Sequence, residues 1–168
     1  NALVERGHEV TILYRDDKEG NPYFPLDKRV KQYNILFENG KKVVSEKLPL
    51  PLRIVRELVR PFKQSAAQAV NAKFKGKQYG PRIRKFLDAY PADVILSCSI
   101  HSAKYVIEDA GCKLPVVEMI HSHPRVQFPD LSTAEKRAVE KCKVMQILLP
   151  SGLKLAHQYF PHLPVVVI

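Results

Sequence analysis

No stretch of this chain comes near the roughly 20 consecutive apolar residues that a membrane-spanning helix needs. The opening segment NALVERGHEV also lacks the basic, apolar and small-residue order of a secretory leader, so a cytosolic chain is the expectation. Cysteine is scarce: Cys98, Cys112 and Cys142 are odd in number, far apart and without a C-x-x-C pair. That speaks against a disulfide framework and against a thiolate zinc site, and reduced thiols are expected. Nor is there a G-x-x-x-x-G-K-[ST] phosphate loop, an RNP signature, a zinc-finger spacing or a G-x-x-G clamp, so the common nucleotide and nucleic-acid modules lack their mark. Acidic residues are thin in one region above all. Residues 53–87 hold ten cations (Arg53, Arg56, Arg60, Lys63, Lys73, Lys75, Lys77, Arg82, Arg84 and Lys85) against the single acid Glu57.

What is present suits one globular domain. The 168 residues are 45% hydrophobic, without a long low-complexity tract, enough for one core and cramped for two. We expect a single domain over residues 1–168. HEVTILY at 8–14 reads as a strand after a helix ended by Gly7. A turn-rich loop follows, then RVKQYNILF as a second strand closed by ENG, with KKVVSEKL as its hairpin partner. From Leu52, the apolar residues Ile54, Val55, Leu58, Val59 and Phe62 recur at helical spacing with arginines opposite them. Pro61 should kink or restart that helix, and PRIRKFLDAY after Gly80 should begin another. Beyond Tyr90 the chain alternates: DVILSC, SAKYVIEDAG, PVVEMI, STAEKRAVEKC, VMQILLP, SGLKLAHQYF, PVVVI. Short apolar strands separated by single helices predict an α/β fold, a Rossmann-like, doubly wound, mainly parallel sheet with helices on both faces.

In such a sheet ligands bind beyond the carboxyl ends of the strands. The residues there are Ser97, Ser99 and His101 after DVIL, His121, Ser122 and His123 after PVVEMI, and Ser151 with Gly152 after MQILLP. The order and motifs NALVERGHEVTIL, ADVILSCSIHSA, PVVEMIHSHP, VMQILLPSGLKLAHQYF and PVVVI resemble the N-terminal domain of retaining GT4-type glycosyltransferases, whose two Rossmann-like domains face across a cleft in the GT-B fold. The resemblance implies a sugar moved from a nucleotide sugar to a glycan or lipid-linked acceptor, with retention of configuration. It matches His121 to a histidine facing acceptor and transferred sugar, Ser151 to the small polar residue opening the next helix, and Ser99, His101 and Ser122 to acceptor-side positions. It also implies a first strand with a Gly-rich loop before Asn1, and a domain beyond Ile168 that binds the nucleotide sugar. No cofactor, metal or nucleic-acid partner is expected, and the 168 residues alone should be inactive.

Other readings compete. His121 also reads as a strand-end histidine bonded to a neighbouring backbone group, and for His123, before Pro124 and turned outward, that reading is preferred. HSHP resembles the core of JAMM-type zinc isopeptidases, but Leu131 and Ala134 stand where that pattern has serine and aspartate. One inserted residue would give Ser132 and Glu135 instead, and two histidines do not complete a zinc site. A nucleic-acid module would use the basic block, yet Phe62, Phe74, Tyr79 and Phe86 sit at helical spacing that suits a core better than base stacking. Within the glycosyltransferase reading, Arg53, Arg56, Arg60, Lys63, Arg82 and Arg84 would meet an anionic surface, placing the protein at the inner face of the cell membrane. Half the expectation for that block is simply a solvated helix face.

Overall fold

The computed structural model describes residues 1–20, 24–62 and 64–168; Lys63, one of the expected surface cations, lies outside them. The chain divides into two compact units, Asn1–Lys47 and Leu48–Ile168.

The first unit opens with α1 (Ala2–Glu5). It ends before Gly7, whose φ of 90° lies in the left-handed region that glycine adopts without a steric penalty. The strands β1 (Thr11–Tyr14) and β2 (Lys31–Asn34) pair in parallel, Thr11 opposite Lys31. Asn34 ties the loop after β1, donating to the carbonyl of Asp16 at 2.8 Å and accepting from the amide of Leu36 at 3.1 Å. The segment read as one strand from Arg29 to Phe37 is two. The second, β3 (Phe37–Glu38), forms a hairpin with β4 (Lys41–Lys42). Asn39 and Gly40 make its two-residue turn, both at positive φ, the arrangement an Asn-Gly pair favours.

The second unit begins with α2 (Leu50–Val59) and α3 (Gln64–Ala89). The break between them falls at Pro61, as its missing amide requires. Pro81 does not start a new helix: α3 runs through it. Packing explains why the helix survives. Tyr79 and Ile83, on either side of Pro81, are buried, and the turn before it closes tightly on a neighbour. A Cβ on Gly80 would lie 2.5 Å from the Asp109 carbonyl, and one on Gly76 would lie 2.5 Å from its carboxylate. That carboxylate is held by the buried Lys104 at 2.6 Å.

Then come β5 (Ile95–Ser97), α4 (Ile100–Lys104), a π-helical turn over Tyr105–Asp109, β6 (Val116–Ile120), α5 (Pro124–Gln127), α6 (Thr133–Glu140), β7 (Val144–Ile147), α7 (Leu153–Tyr159) and β8 (Val165–Val167). The strands form a four-stranded parallel sheet in the order β5-β6-β7-β8. Side chains alternate between its faces. Ser97, Glu118, Met145 and Val165 stand in one row across the sheet, with Ile120, Ile147 and Val167 in the next. From Ser97 to Ile147 this face is buried. On the other face Leu96 is 47% and Val166 43% exposed. Strands that neighbour in chain order, joined by right-handed crossovers, send every connecting helix to the same side. Among the described residues of the unit, the face of Leu96 and Val166 is thus partly open to solvent at both edge strands.

Candidate functional site

Parallel pairing brings the carboxyl ends of β5, β6 and β7 to one edge, about 5 Å from strand to strand. At β5 the chain leaves through Ser97, whose hydroxyl donates to the Ser99 carbonyl at 3.0 Å. Ser99 caps α4: its Oγ accepts from the Ser102 amide at 3.2 Å and lies 2.9 Å from the Ser102 hydroxyl. One helical step on, His101 places Nδ1 2.5 Å from Oε1 of Glu135, its own side chain 76% exposed and that of Glu135 only 10%.

Glu135 serves two elements. It is the third residue of α6, and its Oε2 accepts from both the amide (2.8 Å) and the hydroxyl (2.6 Å) of Ser132. The Ser132 hydroxyl in turn accepts from the Glu135 amide, completing a capping box. Burial alone would raise the Glu135 pKa, but the bonds from His101 and Ser132 outweigh it and hold the carboxylate at about 2. Ser132 and Glu135, the residues that one insertion would bring into register with the HSHP pattern, are thus the N-terminal cap of α6, and Glu135 reaches His101 rather than His121.

At β6, His121 is exposed and makes no hydrogen bond to a described residue, so the alternative of a backbone-satisfied strand-end histidine does not describe it. Ser122 is half-buried and accepts from Gln127 at 2.7 Å. His123 is not turned outward as the sequence suggests. It is half-buried and caps α5, its Nδ1 accepting from the Arg125 amide at 3.1 Å. With Nδ1 an acceptor, the proton of the neutral ring sits on Nε2. That atom lies 3.5 Å from the exposed Ser151 hydroxyl, the outer limit of a hydrogen bond. Gly152 lets the turn after β7 come so near, since a Cβ there would lie 3.0 Å from the Pro124 ring.

Beneath this edge is a residue the sequence reading passes over. Glu118 has no exposed surface, and neither carboxylate oxygen has a hydrogen-bond partner. Desolvation pushes its pKa up to about 8, against the weaker opposing pull of Ser97 and His101. The Ser97 proton goes to the Ser99 carbonyl, so Glu118 is relieved by proximity alone and is uncharged at neutral pH. On the same face the Cys142 thiol, pushed up by burial and then by Glu118 to about 12, donates to the Ala138 carbonyl at 3.4 Å. A signal for Glu118 exists in the sequence: an acid at the third position of the otherwise apolar strand VVEMI.

The basic block lies on α2 and α3. Arg53 and Arg60 are exposed. Arg56 is half-buried, pairs with Glu57 at 2.6 Å and reaches Asn71 at 3.5 Å, while Arg60 lies 3.4 Å from the same Glu57. Arg84 turns its Nε to the Ala110 carbonyl at 2.8 Å, and Arg82 is half-buried. Of the six cations expected to face an anionic surface, Arg53 and Arg60 are therefore the best presented among the described residues. Around them Leu50, Ile54, Leu58 and Phe62 are also exposed, Leu58 at 66% and Phe62 at 90%; Phe62 thus lies outside the core that its helical spacing suggests.

Among the described residues no group of three His, Cys, Asp or Glu side chains is placed to share a metal ion, and no helix is long and apolar enough to cross a membrane. No family model, curated protein or solved structure matches the chain.

Proposed function

We propose that this segment is the acceptor-side, Rossmann-like N-terminal domain of a GT-B, GT4-like glycosyltransferase. It would work with a second domain that binds the nucleotide sugar, without a cofactor. The observation that carries this reading is the carboxyl edge of the parallel sheet. There, three successive strands deliver Ser99 and His101, His121 and Ser122, and Ser151, with His121 exposed and without a hydrogen-bond partner among the described residues.

Sugar transfer forms a bond from an acceptor oxygen to the anomeric carbon and breaks the bond from that carbon to a diphosphate oxygen, which leaves with the electron pair and takes up the acceptor's proton. Rate comes from holding the acceptor hydroxyl in line and from stabilising the charge that develops. The nucleotide-binding half would meet the diphosphate; this half positions the acceptor. His121 is the group placed to touch the reacting hydroxyl, and Ser151 and Ser122 offer further polar contacts. The exposed apolar stripe of α2, flanked by Arg53 and Arg60, supports peripheral contact with an anionic membrane, where lipid-linked acceptors lie.

The test uses the native polypeptide that carries this segment and a nucleotide sugar labelled in the sugar. His121→Ala should lower kcat/KM about 10²-fold, the loss typical of removing one transition-state contact, with an unchanged thermal midpoint. Wild-type kinetics in the variant would remove His121 from the site.

A further inference from the structure

The imidazole of His123 uses both of its nitrogens. Nδ1 accepts from the Arg125 amide at 3.1 Å and caps α5, while Nε2, on the other edge of the ring, lies 3.5 Å from the Ser151 hydroxyl. Nδ1 can accept only without a proton of its own, so the proton of the neutral ring belongs to Nε2, and Nε2 is the donor in the second contact. The Ser151 oxygen is thus the acceptor, and the proton of that hydroxyl is left for another partner. Ser151 is exposed after the carboxyl end of β7 and makes no second hydrogen bond to a described residue. Capping explains the contact to Arg125. It does not explain the contact to Ser151, which lies 28 residues away in sequence. Nor does it explain the choice of histidine, since the favoured caps are Asn, Asp, Ser and Thr, all of them shorter. Close packing of Gly152 on the buried Pro124 ring keeps the two loops at this spacing.

We propose that His123 is the positioning residue of Ser151: its Nε2–H fixes the Ser151 hydroxyl as a hydrogen-bond donor at the carboxyl edge of β7, offered to an oxygen of the ligand that this edge receives. The inference rests on the glycosyltransferase reading only for the identity of that oxygen as one of a sugar acceptor. In enzymes without substrate such hydrogen bonds are often long, and they tighten in the complex. His121 and Ser151 then have different tasks. His121 touches the reacting hydroxyl, and Ser151 holds the acceptor through another of its oxygens, so the pair of His123 and Ser151 acts on binding rather than on the chemical step.

Two substitutions separate capping from positioning. His123→Asn keeps an oxygen where Nδ1 accepts from the Arg125 amide but is too short to reach Ser151, whereas His123→Gln keeps an N–H near the place of Nε2 and gives up the favoured cap. The assay uses the native polypeptide, a sugar-labelled nucleotide sugar and a graded membrane extract as acceptor. His123→Asn should raise KM for the acceptor about fivefold, the loss of one hydrogen bond, with kcat within about twofold of wild type and an unchanged thermal midpoint. His123→Gln should lower the midpoint and keep KM near wild type. Ser151→Ala should raise KM as much as His123→Asn does, and the double variant should raise it no further. Wild-type KM in His123→Asn with the defect in His123→Gln overturns the proposal and leaves His123 a cap. A second readout needs no transfer. At about pH 8, above the ordinary imidazole range, long-range proton–nitrogen NMR spectra should show His123 as one tautomer with its proton on Nε2, and His121 as an average of two. Exchange of the His123 Nε2 proton with water should be faster in Ser151→Ala than in wild type. A His123 ring that averages between tautomers, or whose Nε2 proton exchanges alike in both proteins, overturns this inference even where sugar is transferred. A locked ring with a protected proton, in a polypeptide that transfers no sugar, supports the pairing and overturns only the glycosyltransferase reading.

Discussion

Two carboxylates lie beneath one edge of the sheet and are driven in opposite directions, and both shifts have consequences for stability. Glu118 has its folded pKa raised from 4.5 to about 8. The folded state thus holds a proton that the unfolded state has released, and stability is full below pH 4.5 and falls as the pH rises toward 8. Near pH 7 the loss is on the order of 3 kcal/mol. Urea unfolding of Glu118→Gln should show a variant whose advantage over wild type grows from pH 5 to pH 8; parallel curves would contradict a buried, unpartnered acid. Glu135 runs the other way. Its folded pKa is lowered from 4.5 to about 2, so its contribution is present above pH 4.5 and is lost as the pH falls through about 2. Ser132→Ala should cost about 1 kcal/mol at neutral pH, the usual worth of such a cap. The sequence makes the positions of His121 and Ser151 legible, because strand ends follow from hydrophobic pattern. It does not make Glu118 or the His101–Glu135 pair legible. For the first, the sequence marks the position, an acid inside the apolar strand VVEMI, but not its missing partners; the second joins two helices that only the crossover topology brings together.

At the scale of elements, the four strands of the second unit and the amphipathic helix α2 could be read from periodicity, which depends on local pattern. The continuity of α3 could not. Proline normally marks a boundary, and here the packing of Tyr79, Ile83 and the two glycines against Asp109 overrides it. Pro81 is exposed, so Pro81→Ala should stabilise the protein by about 1–3 kcal/mol, seen as a raised thermal midpoint. Gly80→Ala should act in the opposite sense. Its Cβ would meet the Asp109 backbone at 2.5 Å, and overpacking of that kind costs about 1–3 kcal/mol. On α2 the expectation is different again. Ile54 and Leu58 are exposed, so Ile54→Asp and Leu58→Asp should change stability by no more than about 0.5 kcal/mol. Both should nonetheless lower sedimentation with anionic liposomes. Equal recovery of wild type with neutral and anionic vesicles would remove the membrane contact from the reading.

At the scale of the molecule, one unit holds a four-stranded parallel sheet with its polar strand ends on one edge, and the other, smaller unit holds a parallel strand pair and an Asn-Gly hairpin. Alternation of strand and helix made the α/β class legible from sequence. The order of the strands in the sheet was not, because strand order is a non-local property. The central claim is that this edge receives an acceptor for sugar transfer. Its most direct test is to incubate the native polypeptide with a panel of sugar-labelled nucleotide sugars and a membrane extract as the acceptor source. Label from one donor should move into the glycan or lipid fraction, and the transfer should fall with His121→Ala. No transfer from any donor, with salt-sensitive retention of an oligonucleotide instead, would contradict it.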